Sequence, residues 1–124
     1  MLDENREDNW VRAGAVADVD PGGAIAVRCT PPIALFNVDG EFYATDEMCS
    51  HGESSLVDGY IEDATVECAF HYAVFSIKDG SVLAAPATEP LCTYETRVIN
   101  GEVFVNAVRR GSRAGCLGTC GISK

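Results

Sequence analysis

Apolar positions along the chain fall in short alternating runs interrupted by turn-forming pairs, a pattern that predicts strands rather than helices. Trp10–Val16, Ala24–Arg28 and Ile33–Val38 each predict one strand. Asp39-Gly40 predicts a tight hairpin turn into a further strand over Glu41–Thr45. Later strands are predicted at Thr65–Glu67, Ala73–Ile77, Ser81–Ala84, Tyr94–Ile99 and Glu102–Asn106, with Asp79-Gly80 and Asn100-Gly101 as turns. No stretch has the periodicity of an amphipathic helix. Many short strands with frequent turn signals imply an all-β antiparallel sandwich or barrel.

Two of the gaps between these strands hold an unusual set of residues. Cys49 and His51 are separated by one residue, Cys68 and His71 by two, and His51 and His71 are the chain's two histidines. Two thiolates and two imidazoles in paired, unequal spacings suit a two-iron, two-sulfur centre in which the cysteines hold one iron and the histidines the other. Each loop then gives one ligand to each metal, so the loops must face each other. Neutral imidazole in place of anionic thiolate makes the added electron easier to accept. Such centres lie at roughly −150 to +300 mV, against about −400 mV for all-cysteine plant-type clusters. Tetrahedral zinc would accept the same four donors, as a structural module. Structural zinc sites, however, usually open with a Cys-x2-4-Cys knuckle and close with a His-x3-5-His pair, and this chain has neither.

The stretch Cys49-Ser-His51-Gly52 followed by Cys68-Ala-Phe-His71 resembles the Rieske iron–sulfur motif. Its surroundings, over roughly residues 10–106, are similar to the ferredoxin components of bacterial aromatic-ring-hydroxylating dioxygenases. The resemblance implies a small three-sheet domain with one [2Fe-2S] cluster in loops at its tip, bound by Cys49, His51, Cys68 and His71. It also implies a one-electron carrier rather than an enzyme, working between a flavin-containing ferredoxin reductase and a terminal ring-hydroxylating oxygenase. If each histidine binds iron through one nitrogen, the other nitrogen can carry a proton, so the potential is expected to fall as pH rises. High-potential respiratory relatives have a further cysteine in each cluster loop and hydroxyl residues after the last histidine. Here Glu53, Ser54 and Ala69 exclude a loop disulfide, and Ala73 and Phe75 stand at the hydroxyl positions. Fewer donors to the cluster destabilise its reduced form, so the expected potential is in the lower part of the range. Ala69-Phe70 replaces a Pro-Leu pair common in the group. The resemblance further suggests that the loop bracketed by Pro86 and Pro90 covers part of the cluster. Two other uses of the fold remain open, a redox-sensing regulator and the small subunit of another reductase such as nitrite reductase.

Composition narrows the picture without redirecting it. The 124 residues, 47% hydrophobic, suffice for a single domain. Nine basic against nineteen acidic residues give a net charge of −10, which disfavours a nucleic-acid partner. Asp46, Glu47, Glu53, Asp58, Glu62, Asp63 and Glu67 crowd the ligand loops, where they either steer docking to basic partners or simply solvate the surface. No long apolar run marks a membrane span, and the acidic start MLDENREDNW is unlike a signal peptide, so a monomeric cytoplasmic protein is expected. Gly52 is expected to allow close backbone approach to the cluster. Tyr43, Phe70, Tyr72 and Phe75 are expected to fill the core. Cys29 and Cys92 read as buried thiols, reduced in that compartment. Residues 107–124, with Cys116 and Cys120, read as a flexible tail following the ferredoxin domain of residues 1–106.

Overall fold

The computed structural model describes residues 10–30, 32–48, 55–68, 73–84, 90–106, 108–109, 118–119 and 121–122. Its elements are β1 (Trp10–Ala15), β2 (Ala24–Val27), β3 (Cys29–Thr30), β4 (Ile33–Val38), β5 (Glu41–Asp46), β6 (Tyr60–Glu62), β7 (Thr65–Glu67), β8 (Val74–Ser76), β9 (Val82–Ala84), β10 (Thr93–Tyr94), β11 (Thr96–Ile99) and β12 (Glu102–Asn106). The helical elements among the described residues are two single 3-10 turns, Val16–Asp18 and Leu56–Asp58.

Three antiparallel sheets result, ordered β1-β12-β11, β10-β5-β4-β2 and β6-β7-β8-β9. The run Ile33-Ala34-Leu35-Phe36 explains how they stack, because it is apolar at every position and buried throughout. A strand covered on both faces needs no polar side. Ile33 and Leu35 pack with Val27, Phe42, Ala44, Tyr94, Val103 and Val105 in one core. Ala34 and Phe36 pack on the other face with Val66, Cys68, Ala73, Phe75, Ile77 and Leu91. The β10-β5-β4-β2 sheet is therefore a shared wall between two cores. Asn37, also buried, is satisfied by donating to the Val19 carbonyl at 2.7 Å and accepting from Gly40 N–H at 2.8 Å.

The expected Asp39-Gly40 and Asn100-Gly101 turns both have positive φ at their two central residues, the geometry that matches strand twist in a two-residue hairpin. The segment Tyr94–Ile99, expected as one strand, changes sheets at Glu95. Thr93 and Tyr94 pair with Thr45 and Ala44 of β5, whereas Thr96–Ile99 pair with β12. Strand β6 was not expected, because the turn that joins it to β7 is Asp63-Ala64, with φ of 51° and 64°, and contains no glycine. A left-handed alanine costs about 1 kcal/mol. Ala64→Gly is accordingly expected to raise the melting temperature by roughly 4 °C, measured by thermal denaturation. Beyond residue 106, Val108–Arg109 (β13) pairs with Gly118–Thr119 (β14), and Gly121–Ile122 (β15) returns to pair with β3.

Candidate metal centre

Both candidate ligand loops are closed at their roots by pairing between the residues that flank them. Before residue 49, Met48 forms an antiparallel bridge with Ser55. Leu56 N–H donates to the Glu47 carbonyl at 2.7 Å, and Ser55 Oγ donates to the Glu47 carboxylate at 2.6 Å. Ser55 also caps the 3-10 turn Leu56–Asp58, its Oγ accepting from Val57 N–H at 3.2 Å. At the second loop, Cys68 N–H donates to the Ala73 carbonyl at 2.7 Å, extending the β7–β8 ladder one step beyond Glu67 and Val74. A third segment, the one bracketed by prolines, ends where Leu91 N–H donates to the Gly80 carbonyl at 2.8 Å. Below it, Asp79 Oδ1 accepts from Ser81 N–H at 3.0 Å, and this bond holds the Asp79 carboxyl below its ordinary value.

The three roots meet in one place. Leu56 follows the first loop, Cys68 and Ala73 flank the second, Leu91 follows the third, and all four lie buried in the same apolar cluster. Gly59 makes the approach possible. A Cβ there would lie 2.5 Å from the Glu67 carbonyl oxygen and 3.1 Å from Val66 Cγ2, so only glycine lets the first loop's exit press against β7.

Of the expected ligands, the structure places Cys68. Its side chain is fully buried and forms no disulfide. Cys49, His51 and His71 lie outside the described residues, as do Gly52, Glu53, Ser54, Ala69, Phe70, Tyr72 and Pro86. Among the described residues, no three histidine, cysteine or acidic groups gather as a metal site. A free, fully buried cysteine beside the second loop is a soft sulfur donor of the kind an iron–sulfur centre takes. Ala73 and Phe75, read as replacing hydroxyl donors, are both fully buried and apolar in their contacts.

The surrounding charges divide into two groups. Asp58, exposed, and Glu67, half-buried, stand beside the loop roots, whereas Glu62 and Asp63 are exposed at the far end of β6 and β7, lining a cleft with Gly22, Asn37 and Asp39. Asp46 departs from the steering role considered for it. It is buried, and its carboxylate accepts from Tyr94 Oη at 2.6 Å. The sequence places Asp46 near Cys49, but nothing in the pattern pairs it with a residue 48 positions away. Phe75 fills the core as expected. Tyr43 is only half-buried, and donation from its Oη to the Glu41 carboxylate at 2.9 Å raises its pKa above 10.0, which keeps the phenol protonated.

Cys92 corrects the reading of the remaining cysteines. It is fully buried, as expected, yet disulfide-bonded rather than a reduced thiol; the partner side chain is outside the described ones. An argument from cellular compartment cannot see which thiols a fold brings together.

Comparison with known proteins agrees with this architecture. The family model of the Rieske [2Fe-2S] domain matches residues 9–95. The 3-phenylpropionate/cinnamic acid dioxygenase ferredoxin subunit of Escherichia coli K12 is 50% identical over 99 residues, covering 79% of this chain and 93% of that protein. The segments IALFNVDGEFYATDEMC, DGYIEDATVEC and PATEPLCTYETRV, which carry the resemblance in sequence, lie within residues 33–98 of this chain. Among solved structures, the Sphingomonas yanoikuyae B1 ferredoxin superposes with a TM-score of 0.75 at 38% identity, covering 79% of this chain and 98% of that one. A chain from the complex of reduced oxygenase and oxidized ferredoxin in carbazole 1,9a-dioxygenase gives a TM-score of 0.80 at 33% identity, covering 84% and 98%. With a buried thiol at the mouth of one loop and a second loop rooted beside it, this chain belongs to the Rieske [2Fe-2S] domain family.

Proposed function

We propose that the protein is a one-electron carrier of a multicomponent aromatic-ring dioxygenase, taking electrons from a flavoprotein reductase and passing them to a terminal oxygenase in the cytoplasm. The observation that carries this reading is the convergence of the loop roots Leu56, Cys68, Ala73 and Leu91 in one core, so that the two donor-bearing segments start from the same place. In this proposal Cys49 and Cys68 hold one iron, and His51 and His71 hold the other. The bound cluster supplies a site for one electron. The chain supplies rigid loop roots, a dry apolar wall at Ala73 and Phe75, and acidic side chains beside the roots at Asp58 and Glu67. The 50% identity to a dioxygenase ferredoxin subunit and the likeness to a chain from an oxygenase–ferredoxin complex support the partner assignment.

The deciding experiment is low-temperature electron paramagnetic resonance after dithionite reduction. A rhombic signal with a low average g value is expected, and a silent, zinc-containing protein would refute the ligand set. Turnover distinguishes a carrier from a redox sensor, since a carrier supports many oxygenase cycles per molecule.

Two quantities follow from the site. Because Ala73 and Phe75 offer the cluster no hydroxyl, the midpoint potential is expected in the lower part of the approximate −150 to +300 mV range, as read by redox titration. Because these side chains are acidic on a chain of net charge −10, the second-order rate of reduction by a reductase with a basic docking face is expected to fall steadily as ionic strength rises. A rate indifferent to salt in stopped-flow measurements would leave them as a solvated surface only.

A further inference from the structure

The disulfide at Cys92 sits at a junction. Cys92 is fully buried between Leu91, the root of the third segment, and Thr93, where β10 begins. Its carbonyl accepts from Asp46 N–H at 3.0 Å, at the point where β5 leaves for the first ligand loop. Past residue 106 the chain returns to this neighbourhood. Val108–Arg109 lies alongside Thr93–Tyr94 and pairs with Gly118–Thr119, and Gly121–Ile122 then pairs with Cys29–Thr30. Strands of two residues are marginal on main-chain pairing alone. Cys120 is the single residue that joins β14 to β15.

The register of the shared wall narrows the choice of partner sulfur. Cys92 stands beside Asp46, Asp46 pairs with Ile33, and Ile33 pairs with Val27, so three strand spacings, about 14 Å, separate Cys92 from Val27. Two residues from Val27 to Cys29 recover at most about 7 Å, and a disulfide needs its Cα atoms within about 6.8 Å. Reaching even that limit would take a chain running straight back across the sheet, whereas Cys29 and Thr30 form β3 beside β15. Cys68 is free, and Cys49 is committed to iron in the ligand assignment above, on which this step rests. Of the two cysteines left, Cys116 belongs to the connection within the β13–β14 hairpin, and Cys120 to the crossing from that hairpin to β3. We propose that Cys92 and Cys120 form a redox-sensitive clasp that straps β13, β14 and β15 over the junction between Asp46 and Cys92. A dithiol reductant opens it in two exchanges. One thiolate of the reductant attacks Cys120 Sγ and displaces Cys92 as a thiolate, which takes up a proton. The second thiolate then displaces Cys120, so that both cysteines end as thiols and the reductant as a cyclic disulfide. Two electrons and two protons move, none of them through the one-electron centre. In the reducing compartment proposed above such a bond is conditional, and when closed it limits the freedom of the opened chain and braces the junction from which the first ligand loop departs.

Non-reducing peptide mapping of the thiol-blocked full chain, with iron and acid-labile sulfide recorded, identifies the bond, and native trypsin cleavage after Arg109, the last residue of β13, reads the strap. A Cys92–Cys120 cross-link is expected, with cleavage roughly tenfold or more faster once dithiothreitol is added. Cys120→Ser is expected to be cut at the fast rate with or without the dithiol and to lose iron to a ferrous chelator sooner than the oxidised wild type. Cys116→Ser is expected to match the wild type throughout. Dithiothreitol-treated Cys120→Ser controls for direct action of the dithiol on the cluster. A Cys92–Cys29 cross-link, a Cys92 disulfide that survives in Cys120→Ser, or a wild-type cleavage rate indifferent to the dithiol would overturn the clasp and leave the ligand assignment standing. Iron loss equal in Cys120→Ser and the oxidised wild type would overturn its bracing of the junction. If Cys120→Ser fails to fold, the wild type with and without dithiol decides alone. A Cys92–Cys49 cross-link in cluster-loaded protein would refute the ligand assignment itself, which separates the two failures.

Discussion

Cys68→Ala is expected to purify as a folded but colourless protein, lacking iron and acid-labile sulfide and unable to carry electrons. The side chain is fully buried, and removing one sulfur atom from the apolar cluster around Leu56, Ala73 and Leu91 costs on the order of 1 kcal/mol, a modest packing defect. If Cys68 holds iron as proposed, its loss, by contrast, removes a bond on which cluster assembly depends. The two effects separate cleanly in measurement. Circular dichroism is expected to keep its strand signature and the melting transition to move by a few degrees, while visible absorption and metal content vanish. Retention of stoichiometric iron and sulfide in Cys68→Ala would remove Cys68 from the ligand set.

Gly59→Ala is expected to weaken both the fold and cluster retention, although the residue touches no ligand. Its φ of −80° is open to any amino acid, so the effect is purely one of space. The added methyl would sit 2.5 Å from the Glu67 carbonyl oxygen, a main-chain atom in a strand that pairs on both sides. Relief requires β7 to move, and β7 leads directly into Cys68. Overpacking of this kind costs roughly 1–3 kcal/mol. The clash is therefore expected to lower the melting temperature by about 8 °C and to shorten the cluster's half-life under a ferrous chelator. Gly40→Ala is the control. It imposes a strained φ of +93° in open space far from the loops, and is expected to lower stability while leaving cluster half-life unchanged.

The sequence was most legible where one residue's own preference decided the outcome. Asp39-Gly40 and Asn100-Gly101 announce their turns because both central positions need positive φ, and the apolar run at Ile33–Phe36 announces a strand. The same logic failed at Asp63-Ala64, where tertiary contacts hold an alanine in a conformation it disfavours. It also failed at Glu95, where one apparently continuous strand divides between two sheets. Period-two patterning reports which positions are buried, and cannot report against which sheet. The candidate ligand motif stands out because four uncommon side chains recur at tight spacings. Its supports do not, since Gly59 against Glu67 and Asp46 against Tyr94 are contacts between residues that have no local signature.

The chain leaves the shared wall at Asp46 and re-enters it at Thr93, on the neighbouring strand, with Asp46 N–H bonded to the Cys92 carbonyl. Everything from Glu47 to Leu91 is thus a cassette plugged in between adjacent strands through one narrow neck. Its two ends already meet, so changes in the length of its turns need not disturb the register of β4, β5 and β12, provided that Leu56, Val66, Phe75, Ile77 and Leu91 still cover Ala34 and Phe36. Redox tuning in such a protein can evolve inside the cassette, while the platform that carries it stays constant.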